Sequence, residues 1–296
     1  MAFELSSFIP KESIFFKSLA LFVATYILAY FVLFSKWTYK KRFEAASCFL
    51  SIVHAPAATI LATYDLVTTA WELDAANTTF QNRVMEFSLA YFLGDLVHFL
   101  FAAPDDYLFI LHHAATSTYI MSCRYYTLHG AKSVMALLAA GEVTSPIQNV
   151  WALCRMARDS SPIARQIYIF LSPIFTVVFT FFRLLVGPFI IYKISEFYIQ
   201  GTATTVIPGW LSFCWMLKSS IAIFGSFVWV YKLWKGLVRL YIGKVSTKKL
   251  MHGIPWGNFQ LIKSACYLNF LSKICLFSGK DGHPTSFTSL VHEGVA

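Results

Sequence analysis

The residues best suited to chemistry lie in three consecutive apolar segments of the chain. The first segment carries Tyr91, Asp95 and His98, whose spacing of four and three residues puts them on one face of a helix. The second segment carries the adjacent pair His112 and His113. Histidine titrates near neutral pH, and a neighbouring carboxylate can orient its ring and raise its basicity. This set of side chains therefore suits acid and base catalysis.

A short turn at 103–106 brings these histidines to one level. His98 precedes the turn by about as many residues as His112 and His113 follow it. Antiparallel neighbouring helices would place the three imidazoles roughly 8–11 Å in from one end of the bundle, at 1.5 Å per residue. Thr116 lies about one helical turn further along the second segment. We expect one polar level shared by two helices.

The third segment adds Glu142, Ser145 and Asn149 on a common helical face. Asn149 is expected at the level of the histidines, and Glu142 nearer the middle of the membrane. Pro146 removes a backbone donor and frees a carbonyl, which a neighbouring helix or a wet cavity must satisfy. Three successive helices thus contribute polar faces at matching depth.

Two cations stand in later apolar segments. Arg183 is predicted to pair with Glu142 or Asp95, or else to bind a lipid head group. Lys218 is predicted either to partner another acid or to line the cavity. Ionisable groups at membrane depth are costly and usually face the bundle interior. We therefore count both among the residues that line a cavity.

A purely structural interpretation of these polar residues is also open. Membrane helices use buried polar side chains as interhelical hydrogen-bond donors and acceptors, at about 0.6 kcal/mol each. Two acids and three histidines in three consecutive segments exceed what such packing requires. The sequence therefore predicts a functional cavity.

The histidine spacing argues against most metal sites. Adjacent His112 and His113 diverge by about 100° around a helix, so one ion would rarely bind both. A di-iron centre needs several histidine-rich motifs, and only His54 and His98 accompany the pair in the apolar segments. A mononuclear site built from His98, one histidine of the pair and one carboxylate stays open. We predict no metal and no required cofactor.

The surrounding composition is that of a membrane protein. The 296 residues are 57% hydrophobic and 13% charged, with a mean hydropathy of +0.59, whereas soluble domains are roughly 25% charged. Windows of about 20 apolar residues, enough to cross a bilayer, occur near 14–34, 45–66, 84–103, 107–127, 131–154, 167–192 and 206–231. The predicted fold is an all-α integral membrane bundle or barrel of six to seven transmembrane helices around a polar-lined cavity.

The distribution of Lys and Arg predicts the orientation. With seven spans and an outer N-terminus, sixteen cations fall on the cytoplasmic side and six on the other, which follows the rule that cytoplasmic loops retain Lys and Arg. The net charge of +9 forms a collar beside the membrane instead of one patch, so anionic lipid explains it better than nucleic acid. We predict a lumenal N-terminus and a cytoplasmic C-terminus.

The chain divides into three predicted regions. Residues 1–44 form an N-terminal anchor helix and basic loop, 45–235 the main transmembrane bundle, and 236–296 a basic cytoplasmic tail. Within the tail, apolar residues at helical spacing predict an interfacial helix at 258–277. Asn77-Thr78-Thr79 matches a glycosylation sequon, but a spectator Asn is an equal alternative.

At these residues the chain resembles the TLC domain family, which includes the ceramide synthases. The matching features are Tyr91-Phe92 with Asp95, the acidic turn Asp105-Asp106, the pair His112-His113, the segment from Glu142 to Asn149, and Phe182-Arg183. The ceramide synthases follow the pair with a further His-Asp and Asp cluster, where this chain has Glu142, Thr144, Ser145, Pro146 and Asn149. It is therefore more similar to the less characterised TLC-domain proteins.

The resemblance implies a lipid-accommodating helical barrel, and in ceramide synthases the histidine pair is implicated in acyl transfer from acyl-CoA to a sphingoid amine. We predict binding or processing of long-chain lipids in membrane lipid homeostasis, in the endoplasmic reticulum or another secretory-pathway membrane. If the protein is an enzyme, the catalytic set is His112, His113, Asp95 and Glu142, with acyl-CoA and a sphingoid base as reactants. A lipid-binding regulator without catalysis is the alternative.

Overall fold

The computed structural model describes residues 13–252, with side chains described as far as residue 241. The described chain is helical apart from short connections and an isolated antiparallel bridge between Ala76 and His129. The interfacial helix predicted at 258–277 and the tail after it lie outside the described residues. The helices are α1 (Phe15–Leu28), α2 (Tyr39–Thr68), α3 (Thr79–Ala102), α4 (Tyr107–Met121), α5 (Ala131–Glu142), α6 (Ser145–Ala157), α7 (Pro162–Phe181), α8 (Gly187–Ile199) and α9 (Gly209–His252).

The helices follow one another where the apolar windows predict them, with two differences. The window near 131–154 is divided into α5 and α6 by a break after Glu142, and the window near 167–192 grows into the continuous helical segment Pro162–Ile199. Among the described residues, five segments are long and apolar enough to cross a membrane: Phe15–Leu33, Tyr39–Thr68, Thr79–Ala102, Pro162–Ile199 and Gly209–Tyr241. The predicted count of seven spans is thus not confirmed, while a multi-pass helical membrane protein is.

Short π-helical segments interrupt or extend three of the helices. They cover Ala29–Leu33 after α1, Ser122–Thr127 after α4, and Phe182–Val186 between α7 and α8. Such wider turns are rare and occur frequently at functional sites. The last of the three contains Arg183, which brings it into the candidate site described below.

Helix α2 presents one long face of small and polar side chains to its neighbours. Ser47, Ser51, His54, Ala58, Ala62 and Asp65 follow one another at steps of three or four residues, and all are buried. Small residues let helix backbones approach closely inside a membrane. Because of this face, α2 packs against α3, α5 and α6, and it carries polar groups into the middle of the bundle.

Helix α9 contacts both α4 and α7 through tryptophan side chains. Trp215 is fully buried, stacks on Tyr119 of α4 with ring centroids 4.7 Å apart, and donates its indole N–H to Ser122 Oγ at 2.9 Å. Further along, the Trp234 indole donates to Thr180 Oγ1 of α7 at 3.0 Å. The described chain up to Trp234 packs as one compact unit.

Two ion pairs are buried at the end of the bundle that holds the α2–α3 and α4–α5 connections. Arg124 Nη2 lies 2.8 Å from Glu86 Oε1, and Lys132 Nζ lies 2.7 Å from Asp65 Oδ2. All four side chains are at most 8% exposed. Arg124 and Lys132 are predicted as loop cations, whereas the structure places them inside the bundle because each has an acid to neutralise it.

Candidate functional site

The centre of the candidate site is a contact between α3 and α4. Asp95 Oδ2 lies 3.0 Å from His113 Nε2, and the two residues are only 2% and 3% exposed. The other carboxyl oxygen, Oδ1, accepts a hydrogen bond from Ser47 Oγ of α2 at 2.8 Å. The structure thus brings the predicted carboxylate and histidine together and adds a hydroxyl from a third helix.

One hydrogen bond of His113 fixes the state of one ring nitrogen. His113 Nδ1 lies 2.9 Å from the Phe109 carbonyl oxygen, and since a carbonyl only accepts, Nδ1 carries a hydrogen. Nε2 lies 3.0 Å from Asp95 Oδ2 but without the geometry of a hydrogen bond. His113 is thus oriented by the Phe109 carbonyl and lies against the Asp95 carboxyl group.

His112 differs sharply from its neighbour. Its ring is half-buried and meets Phe92 edge-on, with ring centroids 6.1 Å apart. Among side chains in the range 13–241, none forms a hydrogen bond with either of its nitrogens, although it interacts electrostatically with Arg183. The predicted pair therefore divides into an engaged histidine, His113, and a histidine with both nitrogens available, His112.

The second carboxylate, that of Glu142, lies where the helix is interrupted between α5 and α6. Helix α5 ends at Glu142 and α6 begins at Ser145, and Ser145 lies within hydrogen-bonding reach of the Glu142 carboxylate. Arg183 donates from Nη2 to the Gly141 carbonyl oxygen at 2.9 Å and interacts electrostatically with Glu142. Irregular backbone inside a membrane protein needs such partners, and Pro146, in the first turn of α6, lacks the N–H that would otherwise need one.

A second row of polar contacts adjoins the pair. Asn149 Nδ2 donates to Ser51 Oγ at 2.9 Å and to the Ser145 carbonyl oxygen at 2.8 Å. The Tyr91 hydroxyl lies within reach of Ser51, and the Tyr91 ring stacks on His54 with centroids 3.9 Å apart and planes 9° apart. The predicted cavity residues Tyr91, Ser145 and Asn149 therefore belong to one connected network.

His98 is contacted by a side chain of α1, the first helix of the described chain. Its Nδ1 lies 2.8 Å from the Tyr26 hydroxyl oxygen of α1, and its ring also packs against Phe43, with centroids 6.2 Å apart. His98 interacts electrostatically with Asp95 and His113, which places it beside the pair. Helix α1 is therefore a part of the site's immediate surroundings.

Two predicted cavity residues stand apart from this network. Thr116 is half-buried and forms no side-chain hydrogen bond within the part of the chain that the structure describes. Lys218 Nζ donates to Thr118 Oγ1 at 2.9 Å, five residues beyond His113 and about 7–8 Å further along α4. Both residues remain predictions as ligand contacts.

Helix α2 also contributes side chains to the site, which the sequence does not predict. Ser47, Ser51 and His54 contact Asp95, Asn149 and Ser88 respectively. Their spacing of four and three residues is the same signal that identifies the face on α3. Serine is common on membrane helices as a packing residue, so this signal is weak without the acidic partner that the fold supplies.

Asp106 lies in the α3–α4 turn, seven residues before His113. It is only 6% exposed, and burial raises the pKa of its carboxyl group to about 7, although the backbone N–H of Phe109 and the charge of Lys232 oppose this shift. Glu44 adds to the rise through like-charge repulsion. This turn therefore contains a group that titrates near neutral pH.

The described residues do not form a metal site. Within that part of the chain, no group of three or more His, Cys, Asp and Glu side chains is arranged to hold an ion. The mononuclear arrangement that the sequence leaves open is not assembled there, because His98 is directed to Tyr26 and His113 to Asp95 and Phe109.

The apolar helices and the polar cluster buried among them define a multi-pass helical membrane protein. A family model described as the TLC domain matches residues 44–235. Over 230 residues the chain is 41% identical to a TLC domain-containing protein of Arabidopsis thaliana, a match that covers 76% of this chain and 89% of that relative. The chain therefore belongs to the TLC domain family, which confirms the predicted resemblance. No solved structure matches it.

Proposed function

We propose that this TLC-domain protein binds long-chain lipids at the cluster around His112 and contributes to membrane lipid homeostasis. The observation that carries the proposal is the division of the histidine pair. His113 contacts Asp95 and is hydrogen-bonded to Phe109, whereas His112 has two available nitrogens and interacts electrostatically with Arg183. A polar group of this kind inside a membrane bundle is costly, and a lipid head group bound to it would offset that cost.

The same proposal includes seven spans, a lumenal N-terminus and a cytoplasmic C-terminus in a secretory-pathway membrane such as the endoplasmic reticulum. The burial of Arg124 and Lys132 supports this orientation, since the tally of loop cations on the outer side falls from six to four against sixteen. In this orientation the α3–α4 turn, and with it the histidine level, lies nearer the cytoplasm.

Lipid binding is tested by native mass spectrometry of the full chain purified in mild detergent. We expect a retained lipid in the unaltered protein and its loss in His112→Ala. The matched control is His129→Ala, in the α4–α5 connection, where the ring contacts the Thr127 carbonyl oxygen. Equal lipid retention in His112→Ala and the control would contradict the proposal.

A second candidate function is acyl transfer from acyl-CoA, favoured by the availability of the His112 nitrogens. His112 would act as a general base and take a proton from a lipid amine, such as that of a sphingoid base, or from a hydroxyl group. The nitrogen or oxygen attacks the thioester carbonyl carbon, the C–S bond breaks, and the proton returns to the departing thiolate of CoA. The predicted catalytic set has three further members, His113, Asp95 and Glu142. They would orient this base and balance its charge when it is protonated.

Acyl transfer is tested with purified protein, acyl-CoA and a sphingoid base, with product detected by mass spectrometry. We expect product with the unaltered chain and at least a hundredfold loss in His112→Ala, about the contribution of one general base. Turnover that persists after replacement of both histidines would remove this mechanism. Lipid retention without turnover of any donor would leave the binding function alone.

A further inference from the structure

Lys218 is a cation deep inside one of the membrane-spanning segments, Gly209–Tyr241. Near the start of that segment, the rings of Trp210 and Tyr126 lie 6.4 Å apart, and both side chains are more than 60% exposed. Exposed aromatic side chains of this kind are typical of the belt at a membrane surface. Lys218 follows Trp210 by eight residues and therefore lies roughly 12 Å below that belt, close to the middle of a hydrocarbon core about 30 Å thick.

The ammonium group of Lys218 has no acidic partner within residues 13–241. Its Nζ donates to Thr118 Oγ1 at 2.9 Å, and Thr118 is exposed. The buried cations Arg124 and Lys132 differ, since each has a carboxylate oxygen within 2.8 Å. Ionisable side chains at membrane depth are costly and usually pair with an opposite charge. Lys218 therefore lacks the counter-charge that the other two cations have.

The face of α9 beside Lys218 is open and has small side chains. Ala222 and Gly225 follow Lys218 at steps of four and three residues, which puts the three on one side of the helix. Ala222 is exposed, and in the described chain a Cβ atom added at Gly225 would meet no atom within 4 Å beyond its own stretch of helix. Small residues let helix backbones approach closely inside a membrane. This face therefore offers a second helix both room and a cation.

We propose that this face of α9 is a docking site for a membrane-spanning helix of a different protein, and that this helix carries an aspartate or glutamate at mid-membrane depth. The partner's carboxylate pairs with the Lys218 ammonium group, and its backbone crosses α9 at Ala222 and Gly225. The pair supplies the counter-charge that Lys218 lacks within the described chain. Such docking does not depend on lipid binding at His112.

Two other occupants fit this face less well. A second copy of this chain offers no suitable acid among its described residues, because those at membrane depth, Glu86, Asp95 and Glu142, are at most 7% exposed. The phosphate group of a lipid lies at the membrane surface, roughly 12 Å from the level of Lys218. A carboxylate on a membrane-spanning helix reaches this level without leaving the bilayer.

The docking is tested by photo-cross-linking of the full chain in membranes of the cells that naturally express it. A diazirine-bearing amino acid replaces Ile221, which is 61% exposed and lies one helical turn beyond Lys218. In the control it replaces Phe213, which is 60% exposed and lies about 140° around α9 from Lys218. We expect a protein adduct at position 221 at least about tenfold above that at position 213, in the range of polar contacts between membrane helices. The cross-linked peptide should come from a membrane-spanning segment that contains an acidic residue.

Charge variants show whether the lysine holds the partner. Lys218→Met keeps a long side chain without the charge and should lower the adduct by at least about tenfold, whereas Lys218→Arg should keep it within about twofold. The matched control is Lys193→Met, which removes a cation from the exposed pair with Glu196 and should leave the adduct unchanged. Lys218→Asp, combined with a lysine in place of the partner's acid, should restore the adduct.

Several results would overturn the proposal. They are an adduct at position 221 no stronger than at position 213, and capture there of lipid alone, of a second copy of this chain, or of a protein without a membrane-spanning acid. An adduct of unchanged yield in Lys218→Met also overturns it. We expect Lys218→Met to melt with the unaltered protein, because Lys218 contacts only an exposed threonine in the described chain. If it does not fold, the comparison of positions 221 and 213 and the Lys218→Arg variant still decide the matter.

Discussion

Asp95 and His113 join α3 to α4 through a contact of 3.0 Å between Oδ2 and Nε2. Ser47 fixes the second carboxyl oxygen from α2, and the Phe109 carbonyl fixes the second imidazole nitrogen. Three of the four polar atoms thus have a defined contact, and His113 Nε2 meets Asp95 without hydrogen-bonding geometry. The pair fixes the position of His113, and the neighbouring His112 is left to meet a ligand.

The pairing predicts that Asp95→Asn is tolerated far better than Asp95→Ala. The Asn amide can donate to His113 Nε2 and accept from Ser47, whereas Ala leaves both buried groups without partners. We expect Ala to lower the free energy of unfolding by about 3–5 kcal/mol, the range for breaking a buried pair, and Asn by about 1 kcal/mol. Melting temperatures in one detergent measure the difference, and equal losses for the two variants would refute the assignment.

Replacement of each histidine should affect a different property: the stability of the fold for His113 and lipid binding for His112. His113→Ala removes a buried ring and two polar contacts, so we expect a loss of about 2–4 kcal/mol in the free energy of unfolding. His112→Ala removes a half-buried ring without a hydrogen bond in the described chain, and the expected loss is about 1 kcal/mol or less. Lipid retention should fall in His112→Ala at unchanged fold, as judged by circular dichroism. Similar melting temperatures for both variants would argue against the division.

The buried pair between Arg124 and Glu86 predicts a specific double-variant result. Arg124→Met leaves the Glu86 carboxylate buried without its cation, at an expected cost of about 3–5 kcal/mol. Adding Glu86→Gln removes that charge, and the Gln amide oxygen can still accept from the Ile14 N–H that now binds Glu86. The double variant should therefore melt at a higher temperature than Arg124→Met alone. A lower melting temperature would show that the carboxylate keeps another counter-charge.

Because the pKa of Asp106 is raised, we expect the stability of the fold to depend on pH. With a folded pKa of about 7 against an ordinary value of 3.8, the native state keeps the proton between about pH 4 and 7 while the unfolded chain loses it. The free energy of unfolding therefore falls as pH rises through this window and levels off above it. Asp106→Asn, which mimics the protonated form, should raise the melting temperature more at pH 8 than at pH 5. An increase that is the same at both pH values would exclude Asp106 as the source.

The spacing of residues along single helices predicts much of the site. The faces of Tyr91, Asp95 and His98 and of Glu142, Ser145 and Asn149 follow from the helical repeat, and the short turn at 103–106 predicts the meeting of α3 with α4. Periodicity gives the face of a helix but not the helix that it faces. The contact of Ser47 with Asp95, which joins residues 48 positions apart, therefore depends on packing of the whole bundle.

The backbone irregularities are harder to predict than the faces. Pro146 suggests a disturbed helix, but a proline in the first turn is compatible with a continuous segment or with a new helix that begins there. The structure begins a new helix, and Arg183 donates to the carbonyl of Gly141 instead of forming a direct ion pair with Glu142 or Asp95. That choice depends on the π-helical turn at Phe182–Val186, for which the apolar sequence there provides no signal.

The central claim, that the cluster around His112 binds a lipid, is tested most directly by electron cryo-microscopy of the full chain in nanodiscs at a resolution that shows side chains. We expect elongated non-protein density between α4 and the α5–α6 break, ending within about 3.5 Å of the His112 ring nitrogens or Arg183 Nε. His112 packed against protein side chains on all sides, with no such density, would contradict it.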